Sequence, residues 1–293
     1  MKVGTLIHPV WLAKNLLNPV PGRIVAPLVR SCVAAGARHI EITGEIFTLA
    51  PPNLLESLRQ EIHDVLVPLK EEQALTFSLH LPTMGGLDIS SSIAAIRLAS
   101  VETYRRLIDL TSPLAPESFV LHVAGMIFEL TNSTVTGSYS STLRQLFLQN
   151  VYRSLEDILT FLPPPSLCLE NLPAFPMEFL LPLVRDFPVS VCLDIGHLHL
   201  RGESLHDFWA RFGPRTREIH LHDVKIVRPG PNLLLQHDHH ALGEGDLDIE
   251  GILDTLNRWA YSGPLVLETL HDPEMRSVGK LRSMLQARGL DST

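Results

Sequence analysis

The chain alternates short apolar segments with longer amphipathic ones eight times, and this alternation constrains its fold more than any other feature. The apolar segments, which we interpret as strands, are residues 3–7, 39–42, 76–79, 119–121, 167–169, 189–193, 219–222 and 265–267. Strands that alternate with helices form a parallel sheet, and eight such units close into a barrel. The sequence therefore predicts an α/β protein with a single (β/α)8 TIM barrel over residues 1–293.

The segments between the strands have apolar residues at helical spacing, as in Leu54, Leu58, Ile62 and Val65. We predict helices near residues 23–35, 53–70, 92–110, 143–161, 177–185, 205–212 and 249–259, with a final helix that ends near 288. No Pro/Gly/Ser-rich linker divides the chain, so the prediction is one domain. Residues 125–140 are apolar at first and then rich in Ser and Thr, which is typical of an active-site loop.

Composition excludes several classes of function. Hydrophobic residues make up 45% of the chain and charged residues 19%, which is typical of a folded globular protein. The formal net charge of -8 gives no electrostatic support for non-specific binding of nucleic acid. The cysteines (Cys32, Cys168 and Cys192) form no CxxC motif, so we expect a reducing cytoplasm. The chain has no run of about 18 apolar residues, and we expect no membrane span.

Ionisable residues stand at the carboxyl ends of seven predicted strands. They are His8, His80, His122, Glu170, Asp194, His220 and Glu268. Barrels of this class build their active sites on that face. Many ionisable groups directed at one opening are costly to bury without a partner, and metal ions are natural partners. The series therefore predicts a metal site at the mouth of the barrel.

The segment from Glu218 to Asp246 is the densest part of this pattern. His220 and His222 are two residues apart on a strand and face the same side, and His237 and His239 repeat the spacing after a loop. Neutral imidazoles beside carboxylates suit zinc, manganese or iron. The alternative is a set of solvated loop histidines, which the density of carboxylates disfavours.

Five motifs resemble one superfamily, the xylose-isomerase-like barrels that include endonuclease IV and are also called the AP endonuclease 2 group. The motifs are LENLP around Glu170, CLDIGH at 192–197, IHLHDVK at 219–225, HDHHALGEGD at 237–246 and LVLET at 265–269. The resemblance covers essentially the whole barrel. It implies the barrel fold and a metal-dependent enzyme.

The resemblance also implies a ligand set. Glu170, Asp194, His220 and Glu268 match the central metal ligands, and sugar isomerases and epimerases of the superfamily need only these four. The nuclease-like members hold three zinc ions. The further ligands that this chain matches are His80, His122, His197, His237 and His239. The nuclease pattern expects an aspartate where His237 stands, which puts the third site in doubt.

The surplus of ligands favours a hydrolase with two or three divalent ions, most readily zinc, with manganese or iron as alternatives. In this interpretation Glu170 bridges two metals, Glu170 and Glu268 are catalytic, and Lys225, Arg228 and His222 contact the substrate. The loops after His8 and His122 are apolar and suit a bulky small molecule rather than DNA. The preferred prediction is a phosphodiesterase that opens the nucleotide loop of a cobamide, so that the partner is a corrinoid.

Three alternatives stay open at this stage. A sugar isomerase or epimerase would use one divalent metal, with Glu170 and Glu268 moving protons. An abasic-site endonuclease would bind duplex DNA in a salt-sensitive way. A non-catalytic binding barrel would hold metal and ligand without turnover. For His222, Asp223 and His240, a role in orienting the metal ligands competes with a substrate contact.

Overall fold

Eight parallel strands close into a barrel in the computed structural model, which describes residues 1–8, 11, 24–48, 50, 52–124, 141–225, 238–270, 272 and 275–291. The strands are β1 (Lys2–Ile7), β2 (His39–Thr43), β3 (Thr76–His80), β4 (Ser118–Leu121), β5 (Leu167–Glu170), β6 (Ser190–Asp194), β7 (Thr216–Leu221) and β8 (Pro264–Leu267). Each strand pairs with the next one in the chain, and β8 pairs with β1. The predicted (β/α)8 barrel is confirmed.

Helices connect the strands and cover the outside of the barrel. They are α1 (Ala26–Ala35), α2 (Glu45–Thr48), α3 (Pro52–Glu61), α4 (Val67–Glu72), α5 (Ala94–Thr111), α6 (Ser141–Ile158), α7 (Leu181–Asp186), α8 (Ile195–Leu200), α9 (Leu205–Phe212), α10 (Ile249–Arg258) and α11 (Arg276–Gln286). No helix in the described part of the chain is both long and apolar enough to cross a membrane. The predicted loop at 125–140 lies outside the described residues.

The predicted helix at 53–70 is interrupted in the structure. Between α3 and α4 the chain forms one π-helical turn, Ile62–Leu66. Pro68 stands in the first turn of α4 and has no backbone N–H to continue the ladder of α-helical hydrogen bonds. A single π-helical turn absorbs this break while Ile62 and Leu66 stay buried.

The main hydrophobic core lies between the barrel and its helices. In β2, Ile40 and Ile42 belong to this core, whereas His39 and Glu41 alternate with them and form hydrogen bonds across the barrel interior. The strands are buried on both faces, as expected for a parallel sheet covered by helices. Cys168 and Cys192 are buried, and with Val120 they form a separate small cluster.

Candidate metal centre

The four central ligands predicted from the sequence meet at the carboxyl ends of adjacent strands. Glu170 and Asp194 are the last residues of β5 and β6, His220 lies in β7, and Glu268 follows β8. The nitrogen and oxygen atoms that each would offer to a metal all lie within 4.8 Å of one another. His220 Nδ1 is 3.0 Å from Glu268 Oε2, 3.6 Å from Glu170 Oε1 and 4.0 Å from Asp194 Oδ2. Neighbouring parallel strands end at the same rim, and this brings the four side chains together.

The chemistry of this group fits a bound divalent cation. Within the described residues, Glu170 Oε1, His220 Nδ1 and Glu268 Oε2 are buried and have no hydrogen-bond partner. Buried polar atoms without partners are rare because each carries a desolvation cost. All three atoms belong to the same four-residue group, and a cation between them would satisfy them together.

His80 and His122 surround the other oxygen of Glu170. His122 Nε2 lies 3.1 Å from Glu170 Oε2, and His80 Nε2 lies 3.3 Å from the same atom. Burial by itself would raise the pKa of Glu170, but His122 and His220 outweigh burial and hold that pKa well below its usual range. The three residues also form a set that could hold a metal ion. Without a metal, the contacts of His80 and His122 with Glu170 Oε2 also orient the carboxylate of Glu170.

A second group is rich in histidine and lies beside Asp194. It consists of His197, His222, Asp238 and His239. His222 Nδ1 is 3.1 Å from Asp238 Oδ1, and the rings of His222 and His239 stack with centroids 4.4 Å apart. Burial acts to lower the pKa of both His197 and His222, but Asp194 is the main group that outweighs it. The pKa of His197 rises to about 10 and that of His222 to about 9.

Asp223 fixes the loop that carries Asp238 and His239 of this second group. Its carboxylate accepts hydrogen bonds from the backbone N–H groups of Val224, Gly243 and Leu247. The backbone of Asp223 also exchanges two hydrogen bonds with that of His240. The loop therefore folds back against the end of β7, which places Asp238 and His239 over the barrel.

The accessible parts of the centre lie on its outer side. Side-chain exposure is 12% for Glu268, 15% for His122 and 19% for His239, whereas it is 0% for Glu170, Asp194 and His220. Of these six side chains, Glu268, His122 and His239 are the ones that are open to solvent. His8 is half-buried beside them, and burial lowers its pKa to about 4 although Glu268 acts in the opposite direction.

The remaining predicted residues have mixed positions. His237 and Arg228 lie outside the described residues, and Lys225 is exposed. His222, predicted to contact substrate, is fully buried, and its Nε2 lies 3.1 Å from Asp194 Oδ1. This position supports the alternative, in which His222 orients Asp194.

Two residues of the centre were not predicted from the sequence. Asp238 supplies the carboxylate of the histidine-rich group, one residue after the position where the nuclease pattern expects an aspartate. The HDHH run contains this aspartate as its second residue, so the sequence could have indicated it as a ligand.

Glu41 lies beneath the centre, with its Oε2 2.9 Å from His220 Nε2. Burial raises the pKa of Glu41 to about 7 against the opposing effect of His220. Its signal was the inward alternation of polar residues in β2.

The fold is similar to several solved structures of sugar epimerases. A D-tagatose 3-epimerase-like protein has a TM-score of 0.71 at 20% identity, with 99% of this chain and 98% of that chain covered. An L-ribulose 3-epimerase has a TM-score of 0.69 at 14% identity, with 100% and 98% covered. A D-allulose 3-epimerase from Methylomonas sp., in complex with D-allulose, has a TM-score of 0.68 at 15% identity, with 98% and 96% covered.

These neighbours overturn the predicted activity. The prediction of a phosphodiesterase that acts on a cobamide is wrong, and a corrinoid partner is not supported, because the similar structures are sugar epimerases. The hydrolase prediction rested on the surplus of ligands. Carboxylates within the centre account for several of these histidines, since His80 and His122 contact Glu170, and His197 lies 3.6 Å from Asp238.

The sequence itself defines the family. A comparison with curated proteins found no match. In contrast, the sequence model of one family matches residues 29–288, which is most of the chain and includes the four central ligands. The match agrees with the closed barrel and with the placement of those ligands at its rim. The chain belongs to the family of xylose isomerase-like TIM barrels.

Proposed function

We propose that this protein is a metal-dependent epimerase or isomerase of a small sugar. The observation that carries the proposal is the central group of Glu170, Asp194, His220 and Glu268, whose ligand atoms lie within 4.8 Å of one another. The group contains buried ligand atoms that have no hydrogen-bond partner, and two of its residues are glutamates that can act as acid and base. Similarity in fold to three sugar 3-epimerases supports the same class of reaction.

The donor set favours a hard divalent cation. Three carboxylates and one imidazole make an oxygen-rich site, which suits manganese or magnesium better than zinc. Zinc stays a prediction, with its best match in the histidine-rich group. When bound in the central group, the cation would polarise the carbonyl of the substrate and make the hydrogen on the neighbouring carbon more acidic.

The two glutamates would then move the proton. In one direction, an ionised carboxylate takes the hydrogen from the carbon beside the carbonyl as a proton, and the C–H electron pair stays on the substrate. The other glutamate, in its protonated form, delivers a proton to the opposite face of that carbon. We assign the base in this direction to Glu170, at the floor of the centre, and the acid to Glu268, at its accessible side; in the reverse direction the two glutamates exchange roles. After one turnover the two glutamates have exchanged protonation states, and exchange with solvent resets them.

His122 and His80 would assist Glu170. His122 Nε2 contacts Glu170 Oε2 at 3.1 Å and is partly exposed at the mouth, so it connects the buried carboxylate with the substrate side. A hydrogen bond from His122 stabilises the ionised form of Glu170. Sugar hydroxyls are donors and acceptors that match this rim of imidazoles and carboxylates.

The test is epimerisation in D2O. Purified protein with added Mn²⁺ is incubated with D-tagatose, D-fructose, D-allulose or L-ribulose, and products are separated by chromatography. We expect a second epimer, with deuterium incorporated at the carbon that is inverted. Replacing Glu268 by Gln should lower kcat by about 10²- to 10⁴-fold, the usual contribution of a general acid or base.

A matched control comes from Glu244, an exposed glutamate near the mouth that contacts Arg276. Glu244→Gln should keep kcat within about twofold, because surface carboxylates contribute little. Protein that binds Mn²⁺ but neither converts these sugars nor exchanges their carbon-bound hydrogen with D2O would contradict the proposal.

A further inference from the structure

The two ring nitrogens of His220 face different partners. Nδ1 points to the central group, 3.0 Å from Glu268 Oε2 and 3.6 Å from Glu170 Oε1. Nε2 points to the opposite side, into the barrel, and lies 2.9 Å from Glu41 Oε2. A histidine that uses one nitrogen for a metal is oriented by what the other nitrogen contacts.

The side chain of Glu41 has no other hydrogen-bond partner within the described residues. It lies in the middle of β2 with no exposed surface, and its Oε1 makes no hydrogen bond. A carboxylate is rarely fully buried in a strand, because its desolvation costs free energy unless a partner compensates for it. The contact that accounts for its position is the one with His220.

Glu218 provides a contrast in the same barrel interior. It is also fully buried, but it accepts hydrogen bonds from Ser78 Oγ at 2.8 Å and from Ser118 Oγ. Its Oε1 lies 3.7 Å from His39 Nε2. Both of its oxygens are therefore satisfied by side chains that are not among the four central ligands. Its carboxylate lies within 4.8 Å of Glu41 and His220, but within the described residues it forms no hydrogen bond with His220.

We propose that Glu41 is a positioning residue of the metal centre. Its carboxylate accepts the Nε2–H of His220, which leaves Nδ1 free of a proton and directed at the space between Glu170, Asp194 and Glu268. The inference rests on the metal site of the proposed function but not on the sugar as substrate. A carboxylate in this position fixes the tautomer of the histidine and strengthens it as a ligand, and loss of such partners typically costs 10- to 100-fold in metal affinity.

The experiment measures Mn²⁺ affinity directly. Wild-type protein, Glu41→Leu, Glu41→Gln and Glu218→Gln are stripped with a chelator, dialysed and titrated with Mn²⁺ by calorimetry. We expect binding to weaken 10- to 100-fold in Glu41→Leu, which has no acceptor. Glu41→Gln retains a neutral acceptor and should fall between Glu41→Leu and wild type. Glu218→Gln is the matched control, because it makes the same chemical change in the same interior, and it should stay within about threefold of wild type.

The outcomes separate this inference from the proposed function. Circular dichroism identifies any variant that fails to fold, and if Glu41→Leu does so, the comparison of Glu41→Gln with Glu218→Gln decides. Equal Mn²⁺ affinity in wild type and both Glu41 variants overturns the role of Glu41, as does equal weakening by Glu41→Gln and Glu218→Gln. Mn²⁺ binding that depends on Glu41 without sugar conversion contradicts only the epimerase. Absence of Mn²⁺ binding in wild-type protein overturns both.

Discussion

Single side chains in this centre are held in charge states that they would not have in water. His197 and His222 are both buried, yet their pKa values are raised to about 10 and about 9, because the attraction of Asp194 outweighs the effect of burial. A metal ligand must be deprotonated, so protons and metal compete for these imidazoles. A cation bound by the histidine-rich group would therefore have to displace the protons of these two imidazoles.

Metal-free protein should lose stability as the pH rises from 7 to about 10. A histidine whose pKa is higher in the folded than in the unfolded state stabilises the fold below the unfolded value of about 6.5. This stability is lost as the pH rises through the folded values of about 9 and about 10. We expect the free energy of unfolding, measured with urea in the presence of a chelator, to fall by more than about 1 kcal/mol. The decrease in the free energy of unfolding with pH should be smaller in His197→Gln. An equal decrease in that variant would show that His197 is not responsible.

The packing of the elements around the centre requires a close approach between Gly196 and the ring of His222. Gly196 lies in the short helix α8, and a Cβ atom at this position would overlap the imidazole ring of His222. Asp194 is the N-cap of this helix, and its Oδ1 accepts the N–H of His197 at 2.6 Å. Without a side chain at position 196, the helix can pack on His222 while Asp194 both caps it and faces the centre.

Gly196→Ala should therefore destabilise the fold and weaken metal binding together. Overpacking of a well-packed interior costs about 1–3 kcal/mol, and here it would displace His222 from Asp194. The control is Gly279→Ala in α11, where a Cβ would have no neighbour within 4 Å. That change should stabilise the helix by about 0.5–1 kcal/mol. Urea unfolding and Mn²⁺ titration check both variants, and an unchanged Gly196→Ala protein would mean that His222 adapts freely.

Metal binding should stabilise the barrel as a whole, because the central ligands come from the ends of four consecutive strands, β5 to β8. A ligand that binds only the folded state stabilises it by about 2.7 kcal/mol at a concentration of 100 times Kd. For a domain of this size we expect Tm to rise by roughly 4–5 °C. Differential scanning calorimetry with and without Mn²⁺ measures the shift. Glu268→Gln should reduce it, and Asp157→Asn, which changes an exposed carboxylate beside Arg97, should retain it.

The barrel and the convergence of its four candidate ligands follow from the order of strands and helices along the chain. Eight alternations of strand and helix allow few other topologies, and all parallel strands end at the same rim, so Glu170, Asp194, His220 and Glu268 had to converge. The contacts across the barrel interior could not be predicted in this way and became clear from the folded chain. Glu41 and His220 are 179 residues apart, and their pairing depends on how the strands close and which way each side chain points. The phosphodiesterase was wrongly predicted for the same reason. In a sequence, a histidine that binds metal cannot be distinguished from one that forms a hydrogen bond with a carboxylate.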